Sequence, residues 1–172
     1  MEKKFELTDN FVINAFGIKL FQIKCTKAFK YANEGDLGGY VEKEDNLSQS
    51  GDAWVSGNAW VYGDAQVSGN AWVSGDAQVY GDARVSGDAQ VYGNARVENN
   101  HMHCGFDCFG SCNRHTHAYK TKGNKVEITC GCFRGSLEEF EKKVEETHKG
   151  TIYEKQYKAI INLIKIKFGI DG

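Results

Sequence analysis

Residues 50–97 of the 172-residue chain read SGDAWVSGNAWVYGDAQVSGNAWVSGDAQVYGDARVSGDAQVYGNARV, one six-residue phrase written eight times. The phrase is Ser/Tyr-Gly-Asp/Asn-Ala-Trp/Gln/Arg-Val, and from Val55 to Val97 a valine recurs every six residues, each two places after an alanine. Period-two alternation inside a period-six phrase means short strands separated by turns, with alanine and valine facing inward. Glycine supplies the turn, and aspartate or asparagine is the non-glycine residue that best tolerates left-handed backbone. A helix cannot satisfy this pattern, whereas a short-stranded solenoid can.

These phrases resemble the hexapeptide repeat of the left-handed parallel β-helix, in which three phrases complete one triangular coil. The resemblance implies that residues eighteen apart stack at the inter-strand spacing of about 4.8 Å. Trp54 then lies over Trp72 and Gln90, Trp60 over Gln78 and Arg96, and Gln66 over Arg84. So short a solenoid has open ends that need covering, which assigns the flanking residues to caps or to an oligomer interface.

The preceding segment KFELTDNFVINAFGIKLFQIKCTKAF reads as a hairpin turning near Gly17, and GDLGGYVEKEDNLSQSG as an irregular first coil with Leu37, Val41 and Leu47 inward. After Val97 the phrase stops. Residues 117–121 and 125–133 alternate as two strands, with Val126, Ile128, Cys130 and Cys132 on one face. Ser136 and Glu139 form a capping box for a helix that carries Leu137, Phe140 and Val144 and stops at Gly150. A last helix carries Tyr153, Tyr157, Ile160, Ile161, Ile164 and Phe168 at helical spacing. The expected fold is mainly β: an N-terminal β-hairpin cap over 1–36, a left-handed parallel β-helix over 37–100, and a ββαα (α+β) module over 101–172.

Three stretches, FELTDN, GDLGGYVEKEDNLSQSG and TCGCFRGSLEEFEKKVEETHKG with its following YEKQYKAIINLIKIKF, make nearly the whole chain similar to a family of phage and prophage proteins that carry hexapeptide repeats. That resemblance implies a phage accessory protein and no established reaction. Members of the family often carry an arginine directly after the Gly-Ser that precedes the hairpin; here Gly110 and Ser111 are followed by Cys112.

The formal net charge of −2 and a pI near 6.2 argue against a protein that coats nucleic acid polymers. The opening MEKKFELTDN lacks an apolar core and a small-residue cleavage site, and no apolar run reaches eighteen residues. The expectation is a soluble protein of the bacterial host cytoplasm, with its six cysteines reduced or metal-bound rather than paired.

HMHCGFDCFGSCNRHTH packs three cysteines and four histidines into seventeen residues. Zinc takes three or four such ligands in a tetrahedron, which makes Cys104, Cys108, His101 and His103 the first candidates. The competing reading makes Cys130 and Cys132 small apolar strand residues and the others a connecting loop. The spacings match no standard zinc or iron–sulfur pattern, so no cofactor is assigned and zinc is the one metal in question. Hexapeptide proteins are often acyltransferases with a histidine base, but no histidine occurs before His101, and the chain reads as a non-enzyme.

Trp54, Trp60 and Trp72 are expected to face outward, more aromatic surface than a monomer leaves in water. One reading buries them in a homo-oligomer, a trimer by analogy with other β-helices. Another uses them, with Tyr62, Tyr80, Arg84, Arg96, Arg114 and Arg134, to bind a small anionic ligand between protomers. Arg134 in GCFRGS opens a helix whose N-terminus suits an anion. The function expected is phage-type, non-catalytic binding: counter-defence by sequestering a nucleotide-like signal, or direct inhibition of a host defence protein. Acyl transfer is the enzyme alternative.

Overall fold

The computed structural model describes residues 3–170. The chain divides into two compact units, Met1–Asn100 and His101–Gly172.

The first unit opens with strands β1 (Phe5–Ile13) and β2 (Lys19–Cys25), an antiparallel hairpin. Asn14 closes its turn: the side-chain oxygen accepts from the amides of Phe16 and Ile18, both at 2.9 Å, and Gly17 takes φ 80°. β3 (Leu37–Val41) pairs antiparallel with β2 and parallel with the solenoid. Eight two-residue strands follow, one per phrase: β4 (Trp54–Val55), β5 (Trp60–Val61), β6 (Gln66–Val67), β7 (Trp72–Val73), β8 (Gln78–Val79), β9 (Arg84–Val85), β10 (Gln90–Val91) and β11 (Arg96–Val97). They sort into three parallel faces, β3-β5-β8-β11, β4-β7-β10 and β6-β9. The register is eighteen residues, with Trp54 opposite Trp72, Trp72 opposite Gln90, Gln78 opposite Arg96, and Gln66 opposite Arg84. The chain is therefore a β-solenoid, as its repeat implies.

Every alanine and valine of the eight phrases is at most 3% exposed, so the interior is one continuous apolar column. Several turn glycines, Gly51, Gly69, Gly75 and Gly81, are fixed twice over. Gly69 sits at φ 69°, and a Cβ there would stand 2.9 Å from the amide nitrogen of Gly87 in the next coil. The neighbouring acidic and amide side chains also stack. Asn58 donates its amide to Asp76 at 3.2 Å and Asn70 to Asp88 at 2.9 Å. The choice between aspartate and asparagine, silent in the consensus phrase, keeps carboxylates from facing one another within these columns.

Within the solenoid the amides on either side of a valine donate to carbonyls in the following coil, as Trp72 does to Ala89 and Ser74 to Val91, both at 2.9 Å. The first coil therefore presents carbonyls with no preceding coil to serve them. Side chains take over. The Asn46 amide donates to the carbonyls of Gly63 (3.1 Å) and Ala65 (2.9 Å), and the buried Lys4 ammonium to those of Gly51 (3.2 Å) and Ala53 (2.8 Å). Leu37, expected inward, is 56% exposed, while Val41 and Leu47 are buried. β3 meets the solenoid through Gly39, where a Cβ would come within 2.7 Å of the Ala59 carbonyl.

The second unit has four strands before its helices, not two. β12 (His103–Phe109), β13 (Arg114–Lys120), β14 (Val126–Cys130) and β15 (Phe133–Ser136) form one antiparallel sheet in chain order. The cysteine- and histidine-rich stretch, read as a loop, holds β12, a turn and the start of β13; in β12 Cys104 and Phe106 pack against the helix-covered core while His103 lies toward His117. Within GCFRGS, Phe133–Ser136 is likewise strand up to the cap. α1 (Leu137–His148) and α2 (Ile152–Phe168) follow. The capping box is present: Ser136 Oγ accepts from the Glu139 amide at 3.2 Å, and the Glu139 carboxylate accepts from the Ser136 amide at 2.7 Å. Ala118, Val126, Ile128 and Cys130 from the sheet pack with Leu137, Phe140, Val144, Ile160, Ile161 and Ile164 from the helices. Cys132 is not on that face, because the strand ends at Cys130 and Gly131 turns at φ 60°, leaving Cys132 exposed. Tyr153, placed on the apolar stripe of the last helix, is exposed too.

Candidate ligand pocket

In the second unit the β12–β13 loop, the β14–β15 turn and both helices enclose a cavity of about 280 Å³. Its floor is apolar, made by Phe133, Phe140 and Val144, with the two phenylalanine rings 5.1 Å apart. Tyr157 stands edge-on to Phe140 at 5.7 Å. Arg114, Lys143 and His148 bring positive charge or ring nitrogen to the wall, and Ser111 and Thr147 bring hydroxyls. Three of the six cysteines, Cys112, Cys130 and Cys132, complete the lining. None of the lining residues carries a carboxylate. The cavity thus combines an aromatic floor with a basic rim, whose nearest carboxylate partner is Glu146, 4.0 Å from Lys143 and outside the lining.

Local structure positions each group. Phe140, Val144 and Thr147 share the inner side of α1 through three- and four-residue spacing, with Lys143 and His148 one place from Val144 and Thr147. The end of β12 and the loop after it are strained: Cys108 (φ 62°), at an irregularity in the strand, and Asn113 (φ 48°) in the loop join Gly110 (φ 74°) in the left-handed region. It is pinned to α2, where the Gly110 amide donates to Gln156 at 2.9 Å and the Tyr157 hydroxyl packs against the Gly110 Cα. Burial, then the adjoining Cys130, push the Tyr157 phenol up to about 12, so it faces the cavity as a neutral hydroxyl. Its oxygen is 3.8 Å from Cys130 Sγ.

Of the residues read from sequence as ligand contacts, only Arg114 lines this pocket. The others, Arg134 excepted, are spread over the solenoid. Trp54 and Trp72 lie on one face, Trp60 and Arg96 on a second, and Arg84 on the third. The expected exposed indoles are also covered by the chain itself. Trp54 is 2% exposed under the edge of Phe29 at 5.4 Å. Trp72 is half-buried between Tyr31, stacked at 5.3 Å, and Tyr92, with its Nε1 donating to Ser56 at 2.9 Å. Tyr62 is buried and stacks on Tyr80 at 5.1 Å. Phe29 and Tyr31 belong to an aperiodic segment, which is why the sequence pattern gave no sign of this covering.

Arg134 donates its Nε to Glu127 at 3.2 Å on the sheet. The helix N-terminus it was read with is occupied from within, because the carboxylate of Glu139 takes the place of an external anion. Arg114 and the thiols of the pocket were visible in the sequence; Lys143 and Thr147 were not singled out, because on a helix full of charges only the fold shows which ones flank Phe140.

The four metal candidates diverge. Cys104 packs toward the helices, and burial pushes its thiol up to about 11, unfavourable for a thiolate ligand. His101 and Cys108 are exposed. His103 faces the other side of the sheet, where its Nδ1 is 3.0 Å from His117 Nε2. His115 stands beside His117 with its Nδ1 2.5 Å from Asp107. Among the described residues, no group of three or more histidines, cysteines or acids is placed to hold a metal ion.

Residues 65–78, 77–91 and 89–102 match the family model of the YdcK β-solenoid repeat. The chain is similar to that repeat over these residues. No curated protein matches it. No helix among the described residues is long and apolar enough to cross a membrane.

Proposed function

We propose that the protein is a non-catalytic binding protein that sequesters a small anionic, nucleotide-like molecule, with the pocket of the second unit as its site and the solenoid as scaffold. The observation that carries this reading is the pairing of an aromatic floor with Arg114, Lys143 and His148 and no lining carboxylate. A ring system stacks on Phe133 and Phe140, and its phosphate or carboxylate bridges Arg114 and Lys143, where charge-assisted hydrogen bonds form. The cavity, about 280 Å³, lies near the lower end of ordinary ligand pockets, which favours a mononucleotide over larger signals. The likeness to phage and prophage repeat proteins supports a counter-defence setting in a bacterial cytoplasm. The stacked coils supply a rigid body for a homo-oligomer, a trimer in this reading.

Thermal denaturation of the full chain with adenosine monophosphate, inorganic phosphate or adenosine tests the proposal. The nucleotide is expected to raise Tm more than either part alone, and to be recovered chemically unchanged on denaturation. A converted nucleotide would make the protein an enzyme; equal, negligible shifts for all three probes would remove the pocket as an anion site. A second reading, direct inhibition of a host protein, draws on the exposed apolar hairpin residues Phe11, Ile13 and Phe16, and predicts a co-purifying partner with no nucleotide affinity.

A further inference from the structure

Half of the chain's cysteines meet at one small cavity, although they come from two separate segments. Cys130 is buried and engaged, with the Thr116 hydroxyl donating to its sulfur at 3.3 Å and Tyr157 beside it. Cys112 and Cys132 are exposed. Both border the mouth, Cys112 in the strained β12–β13 loop and Cys132 in the turn between β14 and β15.

The ladder brings those two segments side by side. Thr116 pairs with Cys130, so the same antiparallel register carried two steps further sets Arg114 against Cys132 in the β14–β15 turn. The side chains agree, because the Arg114 guanidinium lies directly over Gly131, between Cys130 and Cys132. Cys112 is two residues from Arg114. Both cysteines line the same cavity, and a turn and a glycine-bearing loop are segments able to adjust to the Cα separation of about 4.4–6.8 Å that a disulfide spans.

We propose that Cys112 and Cys132 are a thiol pair whose oxidation ties the β12–β13 loop to the β14–β15 turn and shuts the pocket mouth. The oxidant is a low-molecular-weight disulfide such as oxidised glutathione. One cysteine attacks it, forming a mixed disulfide and releasing one glutathione thiol. The second cysteine then attacks the protein sulfur of that mixed disulfide and releases the other glutathione. Two electrons leave the two protein sulfurs, and their two protons leave on the two glutathione thiols. The bridge crosses Arg114 and withdraws it from an incoming anion, so the reduced protein binds and the oxidised one does not. The regulatory consequence rests on the pocket being the binding site; the bridge and the closure do not.

The full chain, equilibrated with oxidised glutathione and then acid-quenched, is analysed by intact mass and peptide mapping. Labelling of His148 by diethyl pyrocarbonate and affinity for adenosine monophosphate are read on the same samples. Wild type and Cys130→Ser are expected to lose two hydrogens and to show a Cys112–Cys132 peptide. Cys112→Ser and Cys132→Ser are expected to carry one glutathione instead. Oxidation is expected to slow His148 labelling at least threefold and to weaken nucleotide binding at least tenfold, both reversed by dithiothreitol. Mixed disulfides at both positions without a bridge, or a bridge that leaves His148 labelling unchanged, would overturn the proposal. If neither redox form binds the nucleotide while the bridge forms and His148 is protected, the pocket assignment fails and the thiol gate stands.

Discussion

At the scale of the residue, the repeat tolerates almost no change at some letters and uses change at others. Asn70 stands between Asp52 and Asp88 in one column and donates to Asp88. Asn70→Asp would set three carboxylates at the inter-strand spacing and is expected to cost about 1 kcal/mol. Urea unfolding at low and high salt checks this: the deficit should shrink as salt screens it. Lys4 is the opposite case, a single cation that ends a column of carbonyls. Burial holds its ammonium down to about 8 from 10.5. Between those values the unfolded chain keeps a proton that the folded chain has released, so this group's contribution to stability rises with pH across that window and is constant below it. Cys104 and Tyr157, both held up by burial, pull the other way above pH 9. The clean measurement is therefore the difference between wild type and Lys4→Met, whose urea midpoints should diverge as pH climbs from 8 to 10.5. The same variant is expected to lose about 1–3 kcal/mol at pH 7, because it strands the Gly51 and Ala53 carbonyls.

At the scale of the element, the eight phrases were legible to the residue: period, inward alanine and valine, and stacking partners all follow from one packing problem repeated. The hairpin and the capped helix were legible for the same reason, local chemistry with a short reach. What escaped was covering. Whether Trp54 faces water depends on Phe29, more than twenty positions away in a segment with no period. β12 escaped because histidines and cysteines carry no clear polar or apolar signature, so its alternation reads as a ligand cluster. The loop after β12 is held by Gly110, where a side chain would collide with the Tyr157 hydroxyl at a positive φ. Gly110→Ala is expected to cost about 2–4 kcal/mol from the two effects together. Hydrogen exchange should show the loss concentrated in residues 108–114 and the start of α2, with the solenoid amides unchanged.

At the scale of the whole molecule, the chain joins a repeating unit that presents few chemically distinct groups to a unit that concentrates them. The candidate contacts chosen from sequence, Arg114 and Arg134 excepted, were distributed by the fold over three faces of the solenoid, whereas the pocket draws on residues 111–157 alone. Charge on a helix says little until its neighbours are known. Lys158 and Lys165 pair closely with acids, while Lys143, only 4.0 Å from Glu146, lines the cavity together with Arg114. The central claim is that this pocket, and not the aromatic faces of the solenoid, takes a small anion. Calorimetric titration of the full reduced chain with adenosine monophosphate decides it, comparing Arg114→Ala/Lys143→Ala with Trp60→Ala/Arg84→Ala/Arg96→Ala. The expected result is one nucleotide per chain, an affinity reduced at least tenfold by the first set, and wild-type affinity in the second. Binding that survives loss of Arg114 and Lys143 but disappears with Trp60, Arg84 and Arg96 would contradict it.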